Sequence, residues 1–249
     1  MASGNALTPD ELLSDLDRLR RQARSMRHAY WFPLVLFGLL TFASVPFYVS
    51  GVTQAGARVA FLRVTAPPTL LGGEQPGRDG LLLAWYWALA LVAGYLLTWV
   101  WYRRHQRRVG IRTPARAFTI TGIALIALAF VGPLLVANLP FRYGPVLLPV
   151  EDLWVRGTFA FLIAAAGLWV LAWAERSRAL ALITLAYTGA ALLASLYNVE
   201  NLLYRLGWNP GYGSAGTRLA MLPNVLLPAL VLLVAGAGAF FLRPRPGRA

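Results

Sequence analysis

The chain of 249 residues is 58% hydrophobic and only 13% charged, against about 25% charged in a soluble domain of ordinary composition, so water is not the solvent around most of it. Ten acidic residues stand against 23 basic ones, for a net charge of +13, and every basic residue is an arginine. The chain has no cysteine, which excludes thiolate nucleophiles, cysteine-ligated zinc, iron–sulfur clusters and a disulfide-stapled scaffold, while the high apolar content excludes disorder.

Residues 1–29 open with a helix-start signal. Thr8 can cap, Pro9 suits the first helical position, and Glu11 stands where a capping box places its carboxylate. Leu12, Leu16, Leu19, Ala23 and Met26 recur at four- and three-residue spacings as one apolar stripe, and Asp17 precedes Arg21 by one helical turn in the favourable order. The segment is expected to be a cytoplasmic amphipathic juxtamembrane helix. It lies on head groups, or docks a partner through Leu12, Leu16 and Leu19.

A hydrocarbon core about 30 Å thick needs roughly 20 apolar residues of helix. Six segments meet that need, at about 30–49, 81–101, 117–138, 157–173, 179–197 and 222–242. Their interiors hold no Arg, Asp, Glu or His, as expected where each central charge costs about 2.5–3.5 kcal/mol on insertion scales. The runs are too long and continuous for barrel strands. The expected fold is therefore all-α: a polytopic bundle of six transmembrane helices over 30–242, with a basic tail at 243–249. The first span reads as a retained anchor, because a long acidic-then-basic segment precedes it and no cleavage pattern follows closely.

Sixteen of the 23 arginines fall on one side of this bundle. They sit in the amino-terminal segment, in the 102–116 connection (Arg103, Arg104, Arg107, Arg108, Arg112, Arg116), in the turn holding Arg176 and Arg178, and in the tail. The acids divide equally between the two sides, so the bias is specifically cationic, and the positive-inside rule places both termini in the cytoplasm. Arginine as the sole basic residue, with abundant Ala, Leu and Gly, fits the inner membrane of a bacterium with a GC-rich genome. A pI near 11.1 invites a nucleic-acid reading, but arginine at span ends more simply marks topology and partners anionic head groups. The 102–116 connection also offers a contact for an acidic soluble partner such as an ATPase.

Three loops face outward. The longest, about 50–80, is rich in Pro and Gly turns, with room for a short extended segment at Val59–Val64. The second carries Glu151 and Asp152, whose adjacency points them apart on either a helix or a strand. The third opens with the best polar cluster of the chain, Asn198, Glu200, Asn201 and Arg205. It can bind a cation or a ligand amine; a salt bridge between Glu200 and arginine is the plainer use. Aromatics mark the span ends, with Tyr30, Trp31, Phe32, Trp99, Trp101, Tyr102, Trp169 and Trp173 inside and Trp85, Tyr86 and Trp87 outside. Small residues at Ala164–Gly167, Gly189–Ala191 and Ala235–Ala239 allow close helix packing. Gly132-Pro133 and Pro228 are candidate kinks.

No arrangement for catalysis is legible: there is no Walker motif, dinucleotide fingerprint, HExxH or intramembrane base. No metal ligand set and no cofactor are expected, since His28 and His105 both sit beside arginines at membrane ends. The hydroxyls of Thr41, Ser44, Thr98, Thr119, Thr121, Thr184, Tyr187, Thr188 and Ser195 can line a polar path, or bond their own helix carbonyls instead. Two functional expectations follow. The first is a non-enzymatic binding, sensing or scaffold protein for a partner, lipid or small ligand. The second comes from layout. Six spans, both ends inside, an amphipathic helix before the first span, a basic second-to-third connection and a re-entrant fifth-to-sixth loop together resemble ABC-2-type permease subunits. That resemblance implies an ATPase partner at the 102–116 connection. The long first outer loop departs from that family's usual short one, and no residue role is carried over.

Overall fold

Hydrocarbon offers no water to satisfy backbone N–H and C=O groups, so a buried chain must bond to itself, and a helix does this within one segment. The computed structural model describes residues 30–50, 78–109, 115–137, 158–197, 199–208 and 222–241, and no strand occurs among them. In chain order they form α1 (Trp31–Ala43), α2 (Val45–Ser50), α3 (Arg78–Val109), α4 (Ala115–Ala137), α5 (Phe159–Glu175), α6 (Arg178–Leu192), a π-helical turn (Leu193–Tyr197), α7 (Val199–Arg205) and α8 (Leu222–Phe241). Four runs are long and apolar enough to cross a bilayer: Trp31–Tyr48, Leu82–Arg104, Arg178–Leu196 and Leu222–Phe241. The Phe118–Leu128 stretch of α4 and all of α5 are shorter apolar helices. The amino-terminal stripe with Leu12, Leu16 and Leu19, the outer-loop segment Val59–Val64 and the basic tail lie outside the described residues.

The helices alternate in direction. At one end the start of α1 meets the ends of α3 and α8, because the Trp31 ring lies 5.6 Å from Trp101 and 5.1 Å from Phe240. Arg103, Arg104, Arg176 and Arg178 belong to this arginine end. At the other end Tyr48 of α2, Trp87 of α3 and Phe161 of α5 converge, with ring centroids 5.5 and 6.2 Å apart. Between α5 and α6 the chain reverses in two residues. Arg176 adopts the left-handed conformation (φ 49°) that ends α5, and the Ser177 hydroxyl accepts from the Leu180 N–H to begin α6. This is a helix stop and an N-cap placed back to back.

Small residues set how closely the helices approach. A Cβ on Gly38 of α1 would lie 2.9 Å from the Leu233 side chain of α8, and one on Gly236 would lie 2.6 Å from Val35 and 3.0 Å from the Val35 nitrogen. The two backbones therefore touch through glycine. Tyr95 of α3 fills the space between α4 and α5 in the same manner. Its ring lies against Gly122 and Gly167, and its hydroxyl donates to the Ile163 carbonyl at 3.0 Å. Leu34, Phe37, Trp87, Phe161, Leu168, Tyr187 and Leu232 are fully enclosed. By contrast Leu89, Val234 and Phe241 are 65, 69 and 79% exposed, which gives the bundle an apolar exterior suited to lipid.

Two sequence expectations change here. Trp87 belongs to the core, 1% exposed, with its indole N–H donating to the Tyr48 hydroxyl at 3.0 Å, while Trp85 points outward. Neighbouring helical residues point about 100° apart, so Trp85, Tyr86 and Trp87 cannot all anchor in one interface. Gly189 has open space around its Cβ position, whereas Ala190 and Ala191 beside it are buried. Close packing therefore uses one side of that small-residue group. Helix continues through Pro228 of α8 and through Gly132-Pro133 of α4.

Candidate functional site

The arginine end holds the most unusual chemistry among the described residues. Trp31, Phe32, Trp101 and Phe240 form a continuous aromatic layer, with Phe32 stacked on Trp101 at 4.5 Å and 17°. Behind it the apolar run of α3 reaches Tyr102, which is buried, and α5 ends on Glu175, which is half-buried. The Tyr102 hydroxyl donates to Glu175 Oε1. Glu175 Oε2 is enclosed and has no hydrogen-bond partner among the described residues, and Tyr30 lies within electrostatic reach.

This carboxyl stands two residues beyond the expected 157–173 span. Burial penalises its charged form and raises it from the ordinary 4.5 to about 7, with the Tyr102 hydrogen bond acting the other way. A group so poised exchanges a proton near neutral pH. No group of three or more His, Cys, Asp or Glu that could hold a metal ion comes together among the described residues.

Sequence reasoning passed Glu175 over, because an acid followed by Arg-Ser-Arg at the end of an apolar helix reads as a solvated turn. The available signal was positional. Tyr102 and Glu175 each stand where an apolar run reaches the same end of the bundle, so the parallel course of α3 and α5 brings them together.

The expected outer cluster is only partly described. Asn201 and Arg205 lie on α7, and both are exposed. Glu200 shares that helix, its side chain lying outside the described residues along with the whole of Asn198. The local anchor is a residue the sequence reading did not single out. Asn224 of α8 is buried, and its Oδ1 accepts from the Val199 N–H at 2.6 Å, which satisfies an amide at the start of α7. Of the basic group, Arg103 and Arg104 are exposed at the end of α3, and the Arg103 guanidinium lies 4.9 Å over the Trp99 ring. Arg107 and Arg108 continue that helix, their side chains lying outside the described residues, as does Arg112.

The interior hydroxyls bond largely within their own helices. Thr41 donates to Phe37 O, Ser44 to Thr41 O, Thr184 to Leu180 O, Thr188 to Thr184 O and Ser195 to Ala191 O, at 2.6–2.8 Å. Tyr187 donates across to Phe161 O at 3.2 Å. Comparison with protein-family models, curated proteins and solved structures returns no match.

Proposed function

We propose that the chain is a non-enzymatic, multi-pass protein of a bacterial inner membrane that binds a partner, lipid or small ligand as a sensor or scaffold. We further propose six spans, with both termini in the cytoplasm. The topology is supported by the alternating helices and by the sharing of one end by Arg103, Arg104, Arg176 and Arg178. The observation that carries the binding reading over a transport path is the use made of the hydroxyls. Thr41, Ser44, Thr184, Thr188 and Ser195 each spend their proton on a carbonyl of their own helix or its final turn, in a largely apolar and aromatic interior where, of the buried path candidates, the Thr98 hydroxyl alone has no partner among the described residues. A solute path needs such groups turned toward a lumen.

The second reading, a membrane subunit of an ABC-2-like transporter, draws on α7, a short exposed helix that follows α6 and is tied to α8 through Asn224. One experiment separates the two. The tagged full chain is purified from native membranes beside a variant lacking residues 8–27. The binding reading expects a partner that is not an ATPase and is lost in the deletion variant, while membrane insertion persists. A stoichiometric ATPase would establish the transporter reading instead, and unchanged association after the deletion would remove the docking role of Leu12, Leu16 and Leu19.

A further inference from the structure

On their inner side α3 and α4 are joined through Tyr95, whose ring lies 5.0 Å from Phe118. On their outer side they leave an apolar groove of ≈ 320 Å³, lined by Val92, Tyr95, Leu96 and Trp99 of α3 and by Ile123 and Ala127 of α4. Tyr95 is buried and forms the floor, whereas Val92, Leu96 and Ile123 are 40, 54 and 65% exposed and form the rims. The stretch from Val92 to Trp99 rises about 10 Å along the helix, enough for one segment of a hydrocarbon chain in a core about 30 Å thick.

The groove has a chemically distinct upper end. Trp99 closes it toward the arginine end, the Arg103 guanidinium rests on that indole, and Arg104 follows, both arginines being exposed. The sequence holds no acidic residue between Asp79 and Glu151, so neither the later turns of α3 nor any of α4 carries a carboxylate to neutralise them. A hydrocarbon slot thus leads directly to a cationic pair that no carboxylate of the later α3 or of α4 neutralises, at the depth where head groups lie.

We propose that this groove is a binding site for an anionic glycerophospholipid, with one acyl chain seated between α3 and α4 and the phosphate met by Arg103 and Arg104. The site rests on the membrane reading above and names a ligand class within it. Charge decides the occupant. A zwitterionic lipid fills the slot equally well but gains little from the arginines, and an apolar helix of a second copy leaves them without a counter-charge.

The test uses the full chain in vesicles of phosphatidylcholine, with and without phosphatidylglycerol, each lipid supplied in turn with a photoreactive acyl chain. Cross-linked peptides are then mapped. With about a fivefold preference expected per arginine near the surface, phosphatidylglycerol should label residues 92–99 and 119–127 at least about fivefold more than phosphatidylcholine does. The lipid-facing part of α8 around Val234 should label equally with both. Arg103→Gln with Arg104→Gln should abolish the preference without lowering the melting temperature, and Ala127→Trp should remove groove labelling by filling it. Equal labelling of groove and α8, or a preference that survives the double arginine variant, would overturn the site. So would a disulfide formed between copies carrying Ile123→Cys in the otherwise cysteine-free chain. Absence of labelling on every helix would instead overturn the membrane reading itself, so the two failures are distinct.

Discussion

Replacing Glu175 with glutamine tests the buried carboxyl at the arginine end directly. In the unfolded chain this group ionises near 4.5; in the folded chain burial moves it to about 7. Below pH 4.5 both states carry the proton and the site costs nothing. As pH rises, the unfolded state releases its proton first, so the folded state is progressively disfavoured, and the full cost stands above about pH 7. The gap between 4.5 and about 7, at about 1.4 kcal/mol per tenfold change in proton affinity, sets that cost near 3 kcal/mol. Solvent reaching the half-buried carboxylate lowers it further. For a chain of this length roughly 2–4 °C of melting temperature corresponds to each kcal/mol. Between pH 5 and pH 8 the wild-type melting temperature should therefore fall by on the order of 5–10 °C more than that of Glu175→Gln. The assay is intrinsic fluorescence of the nine tryptophans during heating in a single detergent. Tyr102→Phe removes the hydrogen bond that favours the charged form and should steepen the wild-type fall. Parallel pH curves for wild type and Glu175→Gln would refute the reasoning.

Three further outcomes are expected. Gly167→Ala drives a methyl into the Tyr95 ring and hydroxyl; it should cost about 1–3 kcal/mol alone and less than about 1 kcal/mol in a Tyr95→Leu background, a coupling that a double-mutant cycle of melting curves measures. Asn224→Ala leaves the Val199 N–H without its acceptor; amide exchange over residues 199–205 should speed up while α1 is unchanged, and equal exchange would show that Asn224 does not hold α7. In a chain free of cysteine, Asn209→Cys should react with a membrane-impermeant maleimide on whole cells and Gln106→Cys only after lysis. The reverse pattern would invert the topology.

Apolar runs bounded by arginine and aromatic residues made the helices readable in advance, because a span's length and its flanking charges are imposed by the bilayer rather than by tertiary contacts. The α5–α6 reversal was equally visible in Arg176-Ser177-Arg178. What could not be read was which way each side chain turns. Trp85, Tyr86 and Trp87 are alike in composition, and only the rotation of α3 sends Trp87 inward to Tyr48 and Trp85 outward. Glu175 escaped notice for a related reason. Its significance comes from Tyr102, 73 positions away in sequence, a pairing that no local pattern encodes. The small-residue groups were legible as packing surfaces, yet their partners were not: Gly236 meets Val35, and Gly167 meets Tyr95.

The enclosure of Tyr95 also bears on biosynthesis. Gly122 supplies one wall and Gly167 the other, and the acceptor for its hydroxyl, Ile163, comes with the second. When the ribosome has finished α3, neither wall exists. The ring can settle only after more than fifty further residues have been made, so the rotational setting of α3 stays provisional until α5 arrives. A chain interrupted before residue 163 would lack the carbonyl that receives the Tyr95 hydroxyl in the finished structure.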